Sequence, residues 1–282
     1  MKIKCKYVEA LKGASSFLEA QGKEGYLGEY MLLERQGWSK TDLVSKLRQD
    51  MPEDIYNTWQ LDLKKVCEGL PPQYIIGSCE FYGLRFKVTE ATLIPRPETE
   101  ELVEYCLSTN DKTKPLRVLD IGTGTGAIAL TLKHKAPMWD VTASDISSEA
   151  LAVTKENKQR LDLDVTLLEG DLIEPVKGEL FDIIVSNPPY IAEDEWDVMD
   201  ESVREYEPKL ALFAPNQGLE IYERLAQELP SITHEKSKIY LEIGYLQGEA
   251  VVSLFKETFP NHNVVCQKDF FDQDRMIIVT PL

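Results

Sequence analysis

The sequence predicts an α/β protein: a mostly parallel, seven-stranded sheet with helices on both faces and an antiparallel last strand, preceded by a small all-helical segment. Three observations predict it. From residue 116 onward, apolar β-prone runs alternate with amphipathic helical runs, the pattern of a sheet built from crossover units. Only the loop Phe270-Phe-Asp-Gln-Asp274 separates the last two apolar runs. That leaves no room for a crossover helix, so they pair as a hairpin and the final strand opposes the rest. Before residue 72, apolar residues recur at helical spacing and the punctuation is that of helix caps.

Residues 1–72 read as a bundle of short helices. Val8, Leu11, Phe17 and Leu18 mark a first stripe, and Tyr30, Leu32 and Leu33 begin a second segment. Ser39, three residues before Asp42, caps a helix through Leu43, Val44 and Leu47. After Pro52, the series Ile55, Trp59, Leu63 and Val66 follows at helical spacing and closes near Gly69 and Pro71-Pro72. Trp38 and Trp59 belong to its core. No residue there is of a catalytic kind, and the bundle is read as partner-binding. Residues 73–95 are expected to be a β-hairpin linker, because Gln73-Tyr-Ile-Ile-Gly77 and Glu80–Val88 are β-prone runs punctuated by glycine. A second domain runs from 96 to 282. Pro97 suits the first turn of a helix, with Glu98, Glu100 and Glu101 near its positive end. Arg96, between two prolines, either faces a site or pairs with an acid. Strands are expected at 117–121, 140–145, 164–168, 181–186, 238–243, 262–268 and 275–280, and helices near 127–135, 148–160, 218–229 and 248–258.

Composition narrows the function. The chain has 282 residues, 48 acidic against 31 basic, for a formal net charge of −17. A nucleic-acid binder needs a basic face, and no Lys/Arg block supplies one, so a small-molecule enzyme or one with a basic partner is favoured. Cys5, Cys67, Cys79, Cys106 and Cys266 are scattered, odd in number and lack C-x-x-C spacing, which argues against a disulfide framework and a zinc site. No apolar run reaches the roughly 18 residues of a membrane helix, and the N-terminus has no apolar stretch of signal-peptide type. The expectation is a cytoplasmic monomer, with no membrane, DNA or metal partner.

Two stretches carry chemistry. Arg117-Val-Leu-Asp-Ile-Gly122-Thr123-Gly124-Thr125-Gly126-Ala127 is a strand, a glycine-rich turn and a helix start. Its glycines permit positive φ and close approach of a ligand to the backbone. Asp145 ends the next strand, where a carboxylate can accept from ribose hydroxyls. The pair reads as a nucleoside site. The spacing also satisfies a dinucleotide fingerprint, but Asp171 and Leu172, at the end of a third strand, and the antiparallel final hairpin favour S-adenosylmethionine. The second stretch is Asn187-Pro188-Pro189-Tyr190, after the strand Phe181–Ser186. Two prolines have fixed φ and no N–H. Asn187 Oδ1 and the Pro188 carbonyl can each accept one hydrogen of a planar NH₂ group while Tyr190 covers its face. An ordinary loop is the bland alternative.

Together, Pro95-Arg-Pro-Glu-Thr-Glu100, Asp120-Ile-Gly-Thr-Gly-Thr-Gly126 and Asn187-Pro-Pro-Tyr190 resemble the HemK/PrmC family, the glutamine N5-methyltransferases of peptide chain release factors. Gln73–Gly77, Phe81-Tyr-Gly83, Glu207-Pro208, Ala211-Leu212, Gly218-Leu-Glu220 with Tyr222, and Leu241-Glu-Ile-Gly244 extend the likeness over most of 73–282. The resemblance implies a Rossmann-like S-adenosylmethionine methyltransferase domain. It implies that Gly122, Thr123, Gly124, Thr125, Gly126, Asp145, Asp171, Leu172 and Asn187 contact S-adenosylmethionine. It implies that Asn187, Pro188, Pro189 and Tyr190, with Arg96, bind the target glutamine of class I release factors, Asn187, Pro188 and Tyr190 being catalytic. An adenine-N6 DNA methyltransferase shares Asn-Pro-Pro-Tyr but needs a basic grip on phosphate. The related enzyme of a ribosomal protein tends to carry Pro-Arg-Ser-Pro where this chain has Pro95-Arg-Pro-Glu98. A nucleotide oxidoreductase leaves Asn187–Tyr190 unexplained.

Overall fold

The computed structural model describes residues 5–282, so the first four residues of the expected helical segment lie outside the description. The chain divides into two units, one of residues up to Gly77 with Asp200–Tyr206, the other of Ser78–Met199 with Glu207–Leu282.

In the first unit the helices span Tyr7–Ala20, Leu27–Gln36, Lys40–Lys46, Glu53–Cys67 and Pro72–Ile76. Ser39 caps the third as expected, its hydroxyl accepting from Asp42 N while the Asp42 carboxylate accepts from Ser39 N. Of the predicted stripe in the first helix, Leu18 is buried and Leu11 packs at the edge of the core, but Val8 and Phe17 are exposed, and Tyr7, Ala10 and Ala14 complete the buried face. Small residues decide this. A methyl on Gly28 would stand 3.1 Å from Ala14 Cβ, so the first two helices pack close enough for alanine and glycine to face each other. Trp59 is fully buried and donates its indole N–H to the Gly28 carbonyl at 2.9 Å. Arg35 clamps the buried Asp62 through two bonds and donates a third to the Ile75 carbonyl.

The run Gln73–Ile76 is helical, not a strand. Pro71 and Pro72 preset the φ of a first helical turn, and Gly77, at φ 79°, closes it in the left-handed conformation. The hairpin is therefore shorter than the 73–95 linker expected. Strands β1 (Ser78–Phe81) and β2 (Leu84–Lys87) meet at Tyr82 and Gly83, whose φ values of 52° and 76° are those of a two-residue primed turn.

The large sheet comprises β3 (Arg117–Ile121), β4 (Asp140–Asp145), β5 (Thr166–Glu169), β6 (Phe181–Ser186), β7 (Thr233–Glu242), β8 (His262–Lys268) and β9 (Asp274–Pro281), in the order β5-β4-β3-β6-β7-β9-β8. The first five are parallel; β9 lies between β7 and β8 and is antiparallel to both. The predicted final hairpin is present, and β9 also extends the parallel sheet. Successive residues of each strand feed opposite faces. Val118, Val141 and Val185 join Leu102, Leu130 and Trp139 on one side, while Leu119, Ile121 and Ile184 join Tyr222, Leu225 and Phe255 on the other. This double burial makes the strands near-continuously apolar. Among the described residues no helix is long and apolar enough to cross a membrane.

Candidate active site

Strand order reverses between β3, which leads outward to β4, and β6, which leads outward to β7. A ligand crevice is expected beyond the carboxyl ends of such a pair. A cleft of about 290 Å³ lies there. Gly122, Thr123, Gly124, Thr125, Asp145, Asp171, Leu172, Asn187, Pro188, Pro189 and Arg96 all line it. Gly126 and Tyr190 are not among its lining residues.

The glycine-rich wall is held by local backbone bonds. Gly122 and Thr123 N–H groups both donate to the Ser144 carbonyl at 2.9 Å. Gly122, Gly124 and Gly126 have φ of 72°, 56° and 81°. A methyl on either of the first two would meet no atom within 4 Å, whereas one on Gly126 would lie 2.7 Å from Thr154 and 2.9 Å from Leu130. The first two glycines thus leave room in the cleft, and the third lets the following helix pack. Asp145 accepts from Gly124 N at 2.8 Å and Ser147 N at 2.9 Å. Burial pushes its pKa up, against those bonds. Asp120, fully buried beneath the turn, accepts from the Thr123 hydroxyl at 2.6 Å and Ala129 N at 3.1 Å, and its Oδ1 has no partner. Burial pushes it up to about 7. Asp171 is paired with Arg224 at 2.7 Å, and Leu172, which lines the cleft, sits at φ 48°, a left-handed position.

The opposite wall is held from far away in sequence. Asn187 Nδ2 donates to the Thr99 hydroxyl at 3.0 Å. Thr99 in turn donates to Glu242 Oε2 at 2.7 Å, and the Tyr190 hydroxyl donates to Glu242 Oε1 at 3.3 Å. Because Thr99's single hydrogen goes to the carboxylate, its oxygen is the acceptor toward Asn187. The Asn187 amide is thereby set with its donor engaged and Oδ1 available as the acceptor. The Tyr190 phenol is held well above its ordinary pKa by burial and by Glu242, so it stays protonated. Gln247 donates to the Tyr190 carbonyl at 2.9 Å and accepts from Gly244 N at 2.9 Å, fastening the tetrapeptide's end. At Gly218, φ 78°, a methyl would lie 2.0 Å from the Tyr190 carbonyl, so only glycine fits beneath the loop. Arg96 does both things the sequence allowed: it lines the cleft and donates to Glu207 at 2.5 Å. Glu207, nearly fully buried, also accepts from Ile94 N at 3.1 Å, so one carboxylate anchors the Pro95-Arg96-Pro97 turn.

Thr99, Gln247 and Glu207 had no functional role in the sequence reading, while Glu242, ending its strand, was read as either bordering the pocket or structural; it is not among the residues that line the cleft. The signals were weak but present: Thr99 lies inside Pro95–Glu100, and Glu207 and Glu242 precede proline and Ile-Gly respectively.

Residues 9–77 match the family model described as the PrmC N-terminal domain, and residues 99–211 match that of the methyltransferase small domain. The release factor glutamine methyltransferase of Enterococcus faecalis is 49% identical over 273 residues, covering 97% of this chain and 98% of that protein. The protein of the same name from Lactococcus lactis subsp. lactis is 43% identical over 273 residues, covering 97% and 99%. Among solved structures, a methyltransferase from Pyrococcus furiosus superposes with a TM-score of 0.52 at 20% identity, over 71% of this chain and 89% of that one, a likeness of fold.

Proposed function

The chain belongs to the release factor glutamine methyltransferase (HemK/PrmC) family, and from that premise we propose that it moves a methyl group from S-adenosylmethionine to the side-chain amide nitrogen, N5, of the glutamine in the Gly-Gly-Gln motif of class I release factors. The observation that carries this reading is the anchored Asn187 amide, an acceptor facing a cleft whose other wall is a glycine turn with an acid at the next strand end.

The residues present fit S-adenosylmethionine. Gly122 and Gly124 leave open a space that any side chain would fill. Each Asp145 oxygen keeps a lone pair beyond its backbone bond, suited to ribose hydroxyls. Gly122–Thr125 would lie along the donor, Asp171 and Leu172 would border its base, and Gly126 serves from behind by seating the helix. When bound, S-adenosylmethionine supplies a methyl group activated by its positively charged sulfur.

The chain's own task is to present N5. An amide nitrogen is a poor nucleophile, because its lone pair is delocalised into the carbonyl. Asn187 Oδ1 and the Pro188 carbonyl would accept its two hydrogens, holding the nitrogen in one orientation and favouring the positive charge that grows there during attack. This is positioning with electrostatic preorganisation. On gaining the methyl group N5 would pass one of its two protons to solvent water, leaving a neutral secondary amide, while sulfur would keep the electron pair of the broken bond as a neutral thioether. Tyr190 serves by supporting the loop through Glu242. The helical unit, matching the PrmC N-terminal domain, is assigned to holding the release factor. The formal charge of −17 favours a basic partner surface.

The test is methyl-labelled S-adenosylmethionine with a class I release factor, beside a variant whose motif reads Gly-Gly-Ala. Label on the first and none on the second is expected. Equal label on both would place the modification elsewhere and overturn the reading.

A further inference from the structure

We infer that Glu242 is a positioning residue for methyl transfer: through Thr99 it sets the direction of a hydrogen-bond chain that makes Asn187 present oxygen, not nitrogen, to the substrate amide. The inference rests on the proposed function for its consequence, and on geometry for its content. Glu242 ends β7, is almost wholly buried, and does not line the cleft. Its two oxygens are spent on the residue that holds Asn187 and on the one that ends the tetrapeptide, Oε2 on Thr99 and Oε1 on Tyr190. A carboxylate only accepts. It therefore takes the Thr99 hydrogen, and Thr99 can then only accept from Asn187 Nδ2. A glutamine or a protonated acid at this place can donate to Thr99. The hydroxyl hydrogen is then free to turn toward Asn187, whose amide can flip and offer an N–H to the substrate's own N–H groups.

The surroundings make the carboxylate responsive. Burial raises Glu242 to about 7, offset by the Thr99 bond, by Arg275 and by the Tyr190 hydroxyl, and reinforced by Glu98. The Tyr222 hydroxyl, bonded to the Glu242 carbonyl at 2.6 Å, stays neutral by burial, and Arg275 is itself held by Asp269. Arg96 adds a weaker positive field at Tyr190.

The experiment compares wild type, E242Q, T99V and T99S. At pH 8, E242Q and T99V should lose about tenfold or more in kcat, the size of effect that a misplaced reacting group produces, while Kd for S-adenosylmethionine stays within about twofold. T99S, which restores the hydroxyl, should recover to within about threefold of wild type. E242Q should melt no lower than wild type, since it removes a buried charge. Wild-type kcat should fall as pH drops through about 7, and E242Q should lack that limb. Independently of any substrate, the Asn187 Nδ2 hydrogens in ¹⁵N-labelled protein should shift with a midpoint of about 7 in wild type and not in E242Q. Wild-type turnover in E242Q or T99V overturns the inference. So does a loss of turnover accompanied by lower melting or lost donor binding, which would mark a structural role. If wild type labels no release factor, the proposed function fails, and the Asn187 resonances still decide this inference.

Discussion

The two walls of the cleft are built on opposite principles. The glycine-rich wall is made of backbone N–H groups and is held by its neighbours: Gly122 and Thr123 bond to the Ser144 carbonyl, Gly124 to Asp145, and Thr123 to Asp120. The Asn187–Tyr190 wall contains two prolines with no N–H to give. It is held by side chains 88, 52 and 57 residues away: Thr99 on Asn187, Glu242 on Tyr190 and Gln247 on the Tyr190 carbonyl. The difference follows from what each wall must do. A cradle for an extended ligand needs space along the backbone, which Gly122 and Gly124 leave open while their N–H groups tie the turn to the next strand. A wall that must accept two N–H groups at fixed positions needs rigid acceptors, and a loop stripped of donors has to be fixed by other elements.

This contrast breaks cleanly if the walls are exchanged in their effects. Asn187→Ala should lower kcat by about 10²–10³ while donor affinity changes little; a loss under about tenfold would show that the acceptor is dispensable. Gly218→Ala forces a methyl to 2.0 Å from the Tyr190 carbonyl. The displaced loop should cost about 10² in kcat, again with donor affinity kept. Across the cleft, Asp145→Ala should weaken S-adenosylmethionine about 10- to 100-fold, the size of a lost charged hydrogen bond, with kcat at saturation nearly intact. Isothermal titration beside steady-state kinetics separates the two patterns, and a kcat defect in Asp145→Ala would merge them.

The smallest effect sharpens the comparison through pH, since each wall rests on one buried acid. Burial raises both Asp120 and Glu242 to about 7 in the folded chain. Unfolded, both titrate near 4. The folded state therefore binds more protons between these limits, so stability rises as pH falls from about 7 toward 5, by about 1–3 kcal/mol. Melting curves at pH 7.5 and 5.5 should show the gain, and Asp120→Asn should remove part of it. Turnover should move the opposite way over the same range, because Glu242 must be charged to orient Asn187.

Much of the architecture was legible because it is written in short-range pattern. The strand at Arg117–Ile121, the helix at Ala127–Lys135 and the strand at Phe181–Ser186 fall where periodicity put them. The glycine turn and Asp145 were legible as a site for the same reason, since turn, helix start and next strand end lie close in sequence. Gln73–Ile76 misled because β-branched isoleucines in so short a run outweighed the prolines and glycine that bound it. Val8 and Phe17 misled because the true helix face is lined partly by alanine, which hydropathy ranks low.

Sequence alone determined which runs become strands and helices, the closing hairpin, the glycine turn and the donor-free tetrapeptide, since each is written in short-range pattern. Tertiary structure alone decided that the Tyr190 hydroxyl meets Glu242, that Arg96 is held by Glu207, and that Thr99 and Gln247 hold Asn187 and its loop. A buried carboxylate looks in sequence like any other acid. Its partners, and so its role, are set only when the ends of distant strands and helices are brought within hydrogen-bonding reach.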